Sequence, residues 1–419
     1  MILKPGDRFI GEPGAVLDGS RVLTRWARSR RFWVASGQTQ DHYASGDRCA
    51  GGSSRCKVRD DVFFDGKPLE AVTDLRQLGP GKFFFGYPND KIYIADNPAG
   101  HKIEADVSSH AFAGCYSGPC GSSTLISGFV MQHFPGTAVE VSDGTVADNE
   151  ARFNHMAGIA VARDGVIRDN YVHDNGLEGL ASTGDQPRRN LLVEGNETAH
   201  NGWYAGYNMG WEGGGGKWTT AVKNLTIRNN YSHDNNGNGF WVDTNNISVT
   251  FKGNRIENNS GPGIEYEASF DAVIHNNTVR GNGFGSGGPW MEGAGIHVDS
   301  SANVEIYAND VEDNYDGIGA MERGGRTVGP YGLPETRNLY VHDNTIKSHG
   351  RAAGLIQTIG DASYWTSKNN RFVHNSYLVC NSAPFAWQAS TGSTVYAYLA
   401  LTQWQATGND TAGSYAASC

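Results

Sequence analysis

The strongest constraint in this chain is a recurring phrase, Asn-x-apolar-x-x-Asn, preceded by one apolar strand residue and usually followed within a few residues by Gly-apolar-x-apolar. It occupies residues 146–154, 167–175, 193–201, 227–235, 251–259, 274–282, 306–314 and 341–349, with a loose copy at 368–375 and a degenerate first copy at 125–133. A recurrence within the solenoid range of roughly 20–50 residues means that each unit buries its apolar side only by stacking on its neighbours. The apolar segments are short, rich in β-branched residues and separated by Asn-Gly, Asp-Asn and Asn-Asn, which predicts several small strands per coil rather than helix pairs. The repeated asparagines are expected to stack as amide ladders, each bonded to its equivalent one coil away. Because a solenoid repeats its outer surface, departures from the pattern on one face mark where chemistry sits.

The repeat fills so much of the 419 residues that one elongated domain is expected rather than two or three. A net charge of −10 and a pI near 5.7 disfavour nucleic acid and anionic membranes as partners. No stretch approaches the roughly 18 apolar residues of a membrane span. Six cysteines fall as Cys49/Cys56, Cys115/Cys120 and Cys380/Cys419. Close pairs in loop-like sequence predict three disulfides and an oxidising compartment; a zinc knuckle is the alternative, but no matching second pair supports it. No secretory signal follows Met1, so the expected secreted, extracellular monomer would be a mature form.

Residues 1–57 read as an N-terminal cap and first coil, with apolar residues alternating between Pro-Gly and Asp-Gly turns. Residues 58–110 change texture: aromatic strands around Val62–Phe64, Lys82–Phe85 and Lys91–Ile94 suggest a small β insertion. Residues 111–380 carry the repeat, and 381–419 are expected to cap the open end, since a solenoid otherwise exposes strand edges. With these features in place, the repeat resembles the right-handed parallel β-helix of the pectin-lyase-like superfamily, which spans carbohydrate lyases, hydrolases, epimerases and phage tailspikes. The aromatic segment from Val62 to Leu69, with Gly81–Gly86 and Lys91–Ile94, resembles the insertion of β-helical glycoside hydrolases of the fucosidase/xylanase and xylosidase kind. The resemblance implies an all-β fold and a carbohydrate ligand; activity varies widely on this fold.

Aligning the rungs on their leading glycines (Gly158, Gly179, Gly239, Gly263, Gly295, Gly317 and Gly354) puts apolar residues at the first and third positions. Strand alternation then turns the second and fourth outward, giving the columns Trp241/Glu265/His297 and Asp243/Glu267/Asp299. Flanking coils hold small or neutral residues there. Carboxylates one rung apart, about 4.8 Å, repel, so at least one keeps its proton to higher pH. That arrangement suits glycosidic cleavage, with adjacent rungs near the retaining separation and alternate rungs in the inverting range. Asp243, Glu267, Asp299 and Glu265 are therefore the candidate catalytic residues, Glu267 the favoured proton donor. A solvated acidic face, or a Ca²⁺ site, are the competing readings; no cofactor is otherwise required. His297 either satisfies a neighbouring carboxylate or acts directly, and Trp241 is expected as an exposed sugar platform.

Three interruptions border these columns. The first carries Trp211, Glu212, four glycines, Lys217 and Trp218, and reads as a glycine-rich bulge with Glu212 in the outward column and Lys217 overhanging the acids. The second carries Trp290 and Glu292, the third Glu322, Arg323 and Arg326. Substrate contacts are expected from Trp241, His297, Lys217, Glu212, Trp211, Trp218, Trp290 and Arg323. His173 and His233 sit in equivalent turns and are expected to be structural, whereas His42 and Tyr43, in the N-terminal loop, could reach the groove, although nothing in the sequence shows that they do. The favoured function is a secreted glycoside hydrolase. A polysaccharide lyase using Lys217, Arg323 or His297 as base is the alternative, and a non-catalytic carbohydrate-binding or tailspike-like protein the third reading.

Overall fold

Each repeat contributes two asparagines, and the computed structural model places them in two buried columns that run along the molecule. The structure describes all residues except 43–48, 115–122, 183–186, 289–290, 349, 358, 390–395 and 418–419. In one column, Asn149, Asn170, Asn196, Asn230, Asn254, Asn277 and Asn309 each donate a backbone N–H to the side-chain oxygen of the next asparagine, ending on Asn344, at 2.9–3.1 Å. In the other, Asn154, Asn175, Asn201, Asn235, Asn259 and Asn282 do the same, ending on Asn314, at 2.9–3.2 Å. These amides satisfy the backbone groups that a tight corner would otherwise bury unpaired. The loose copy at 368–375 is out of frame with the others. Asn344 donates to Asn375, not Asn370, and Phe372 pairs with Val341.

Three long, almost wholly parallel sheets of 13, 11 and 12 strands wind into a right-handed parallel β-helix. Side chains pointing inward from all three, among them Trp218, Phe240, Phe251, Tyr266 and Phe372, form one continuous core. Glycine opens the rungs because neighbouring coils touch there: a Cβ on Gly239 would lie 2.4 Å from the carbonyl oxygen of Gly263. The same crowding corrects the reading of the glycine run as a bulge. Gly214–Thr219 is a regular rung paired with Asn238–Asp243, and a Cβ on Gly215 would lie 2.2 Å from Ser232 Oγ.

Two small sheets interrupt the early coils. One joins Ala27–Ser29, Phe32–Ser36, Lys91–Ile94, Lys82–Gly86 and Glu70–Val72, and the other Ser20–Val22, Ile103–Asp106, Val62–Phe64 and Lys67–Pro68. They share a core around Val62, Phe83, Ile92 and Ile94 and dock on the solenoid through Tyr204 and Tyr207. Cys49 and Cys56 form a disulfide, and Cys380 is disulfide-bonded. Cys115, Cys120 and Cys419 lie outside the described residues. At the C-terminal end the helix Leu401–Ala406 lays Trp404 against Phe385, and Asp410 accepts the last ladder N–H, from Asn375, at 2.9 Å. His173, His233 and His342 each bond the aspartate that follows them at 2.7 Å, as expected of turn residues. Among the described residues, no helix is long and apolar enough to cross a membrane.

Asn254 accepts from Asn230 and donates to Asn277 and to the Ile227 carbonyl. Asn254→Ala leaves several buried groups unpaired, and a loss of about 3 kcal/mol is expected in urea unfolding.

Candidate active site

The strands Asn238–Asp243, Ile264–Glu267 and Ala294–Asp299 stack in parallel and in register. Trp241 pairs with Glu265 and Glu265 with His297; Asp243 pairs with Glu267 and Glu267 with Asp299. Phe240, Val242, Ile264, Tyr266, Ile296 and Val298 fill the interior with no exposed surface. The two outward columns are those expected from the leading glycines. They do not face open solvent, however. All of their members but His297 form the floor of a cavity of about 650 Å³, walled by the short helix Met209–Glu212, by Ser286 and Glu292, and by Arg323 and Arg326.

Cations interleave with the acids. Lys217, opposite Trp241 in the preceding rung, places Nζ 3.4 Å from Asp243 Oδ2, 2.5 Å from the Trp211 carbonyl and 3.3 Å from the centre of the Trp241 ring. Arg326 reaches in from its loop to bridge Glu267 Oε1 at 2.6 Å and Asp299 Oδ2 at 2.9 Å. Buried Glu322 anchors that loop, accepting from the N–H groups of Gly324 at 3.1 Å and Thr336 at 2.7 Å. Trp241 Nε1 donates to Glu267 Oε2 at 3.2 Å. Asp243 Oδ1 accepts from Thr244 Oγ1 at 2.8 Å.

The Glu267 carboxyl is pushed up to about 7 by burial first, then by Asp243, Glu265 and Asp299, with Arg326 opposing. Glu265, one rung position away, is committed otherwise: Asn238 Nδ2 donates to Oε2, and His297 Nδ1 lies 3.3 Å from Oε1. Burial works against the charged form of His297, but the hydrogen bond and charge of Glu265, with Asp299 and Glu292 beyond, leave its pKa raised overall.

Several expectations need correction. Trp241 is 6% exposed, covered by Lys217, so it positions Glu267 and presents no open platform. Trp218 points inward against Phe240 and is wholly buried, because the glycine run is a rung and Trp218 takes its third, inward position. Glu212 is not in the outward column, which Lys217 occupies; it lines the cavity from the short helix. His297 is fully buried behind Glu265 and does not line the cavity. Trp211 is exposed at the rim, and Arg323 is at the rim in an ion pair with Glu292. Trp290 and Tyr43 lie outside the described residues. His42 lines a separate cavity of about 360 Å³ with His110, Glu140 and Glu178. Arg326 is the contact that sequence reasoning left without a role. Its signal was a long insertion carrying two arginines beside an acid column.

Among the described residues, two His/Asp/Glu groups bring donor atoms within 4.8 Å of one another, Asp18/Glu104/His133 and His42/Asp60/Asp106. Both lie under the insertion rather than in this cavity. Within the cavity, Lys217 and Arg326 already supply positive charge to the acids.

Residues 136–294 match a family model described as "Right handed beta helix region". No curated protein matches the chain. Among solved structures the chain is similar to "The complex structure of XylC with xylose", at 12% identity over 87% of this chain and 73% of that one, with a TM-score of 0.65. It also matches a "Glycoside hydrolase" at 10% identity over 91% of this chain and 82% of that one, TM-score 0.45. A third match is the A-module of the Azotobacter vinelandii mannuronan C-5 epimerase AlgE6, at 15% identity over 71% and 77%, TM-score 0.42. The first likeness shows the fold.

The sign of the Glu267 shift sets a stability expectation. Its raised pKa means that the unfolded chain ionises first as pH climbs from the ordinary 4.5 toward 7, so this group stabilises the fold at low pH and that contribution is lost as pH rises. Glu267→Gln removes the dependence. Relative to the parent, its thermal midpoint is expected to be higher at pH 8 than at pH 4 in parallel calorimetric scans.

Proposed function

We propose that this protein is a retaining glycoside hydrolase acting on a neutral carbohydrate outside the cell, with Asp243 as nucleophile and Glu267 as acid and base. The observation that carries this reading is the pair itself: two carboxyl groups on adjacent rungs in unlike surroundings. Lys217 Nζ lies 3.4 Å from Asp243 Oδ2, while burial among acids keeps a proton on Glu267 up to about pH 7. Rungs stand about 4.8 Å apart. That is close to the roughly 5–5.5 Å between the carboxyls of retaining enzymes and below the roughly 6.5–9.5 Å of inverting ones.

In the first step Asp243 attacks the anomeric carbon as its bond to the leaving oxygen breaks, and Glu267 gives its proton to that oxygen. A glycosyl ester on Asp243 results. Glu267, now a carboxylate, takes a proton from water as the water oxygen attacks the anomeric carbon. The ester breaks, Asp243 returns as a carboxylate and Glu267 is protonated again. Arg326 and Trp241 Nε1 hold the two Glu267 oxygens, and Asp299 positions Arg326. Trp211 at the rim offers a stacking surface for a sugar ring. The disulfide Cys49–Cys56 supports an oxidising compartment.

The basic residues that a lyase would use are otherwise engaged: Lys217 with Asp243 and Trp211, His297 with Glu265, Arg323 with Glu292. An acid-lined floor also repels a uronate polymer. The test is an aryl-glycoside panel that includes a β-xyloside, because a structure of similar fold was solved with xylose. Product stereochemistry is read by proton NMR. Retention of configuration is expected; inversion, or unsaturated products absorbing in the ultraviolet, would refute the assignment. Asp243→Asn and Glu267→Gln are each expected to lower kcat about 10²–10⁴-fold. For Glu267→Gln the loss is smallest on substrates with the most acidic leaving phenol. In the parent enzyme, kcat/KM is expected to fall as pH rises through about 7, where Glu267 loses its proton.

A further inference from the structure

The insertion and the solenoid meet on a second acidic cluster, whose residues do not line the cavity described above. Asp60, Asp61 and Asp106 are each at most 1% exposed. Asp106 Oδ2 accepts the Asp61 N–H at 2.9 Å, Asp61 Oδ2 lies 2.9 Å from His155 Nδ1, and Asp60 Oδ1 bonds His42 Nδ1. One oxygen on each aspartate, Asp60 Oδ2, Asp61 Oδ1 and Asp106 Oδ1, is buried without a hydrogen-bond partner. Donor atoms of His42, Asp60 and Asp106 fall within 4.8 Å of one another. The Arg59 guanidinium, next in sequence, is turned away onto Asp41 and the Tyr87 ring.

Three buried carboxylates with unused oxygens are costly unless a cation joins them. The neighbouring cluster on the same interface makes the contrast. There Glu104 has Lys102 Nζ at 2.7 Å and Ser20 Oγ at 3.1 Å, while Asp18 accepts from Ser20 and from Gln132 at 2.8 Å. That cluster contains its own ammonium group; among the described residues, the one at Asp60 and Asp106 has none in its contacts.

We infer that His42, Asp60 and Asp106 bind a divalent transition-metal cation of the zinc or manganese class, which staples the insertion to the N-terminal loop. One imidazole and two carboxylates suit such an ion better than Ca²⁺, which takes oxygen ligands. His155 acts from behind, orienting Asp61 against the Asp106 pair. The role is structural, so the inference stands or falls independently of the hydrolase assignment.

The test is metal content and binding in the full-length protein. Elemental analysis is expected to find about one equivalent of metal per chain. After chelation, Zn²⁺ or Mn²⁺ added back should raise the thermal midpoint with a dependence on metal concentration. His42→Ala, a change on a loop, should weaken calorimetric binding about 10-fold or more, and Asp106→Asn should abolish it; Asp18→Asn, in the neighbouring cluster, should leave it unchanged. Absence of stoichiometric binding would overturn the inference, as would equal affinity in the His42→Ala and parent proteins. So would a metal-free parent that Asp106→Asn stabilises, since a shared proton would then balance the cluster.

Discussion

The hydrogen bond from one coil to the next is the constraint on which everything else in this molecule rests. Backbone pairing in three sheets and amide pairing in two asparagine columns both demand that equivalent residues lie directly above one another. A slip by one residue would turn the core faces outward and break both ladders at once. Register is therefore held along most of the solenoid; it shifts between Glu312 and Asn314, and Gly354, aligned above as a leading glycine, pairs with Gly319 rather than Gly317. Any residue type placed at the same offset in successive coils becomes a column at rung spacing, whether it is an amide, a phenyl ring or a carboxylate.

For amides and apolar side chains such columns are favourable, because each layer satisfies or buries the next. For carboxylates they are not. Asp243, Glu267 and Asp299 are held at the spacing at which like charges repel strongly in a partly dry cavity. The structure offsets this by inserting a cation beside each end of the column, Lys217 from the preceding rung and Arg326 from a downstream loop. Glu267, in the middle, receives the repulsion of both neighbours. A local electrostatic cost thereby contributes to the raised pKa of Glu267, the perturbation on which the proposed acid chemistry draws.

Much of this was legible from residue order. The asparagine period, the leading glycines and the alternation of apolar residues each follow from local geometry, so they could be read without coordinates, and the pairing of Asp243, Glu267 and Asp299 followed from them. What failed did so for a common reason. Trp218 was assigned to the surface because four glycines look like a loop, whereas close coil contact at Gly215 makes them a rung and turns Trp218 inward. Trp241 was expected to be exposed because its position faces outward, yet Lys217 covers it. The loose final copy was read one asparagine out of frame, since its own spacing does not reveal which coil position Asn375 takes.

By itself, then, the order of residues determined the solenoid, its strand pairing and the two outward columns, because alternation of period two within strands and two repeating asparagine corners leave no other way to bury the apolar side chains. Tertiary structure alone decided what stands over those columns. Arg326 lies 27 residues beyond Asp299 and 59 beyond Glu267 along the chain, and its loop is aimed by Glu322 rather than by any periodic feature. The meeting of His42, Asp60 and Asp106 under the insertion is of the same kind. Such contacts are set by how non-repeating segments pack against a repeating frame, and they carry no period for a sequence to display.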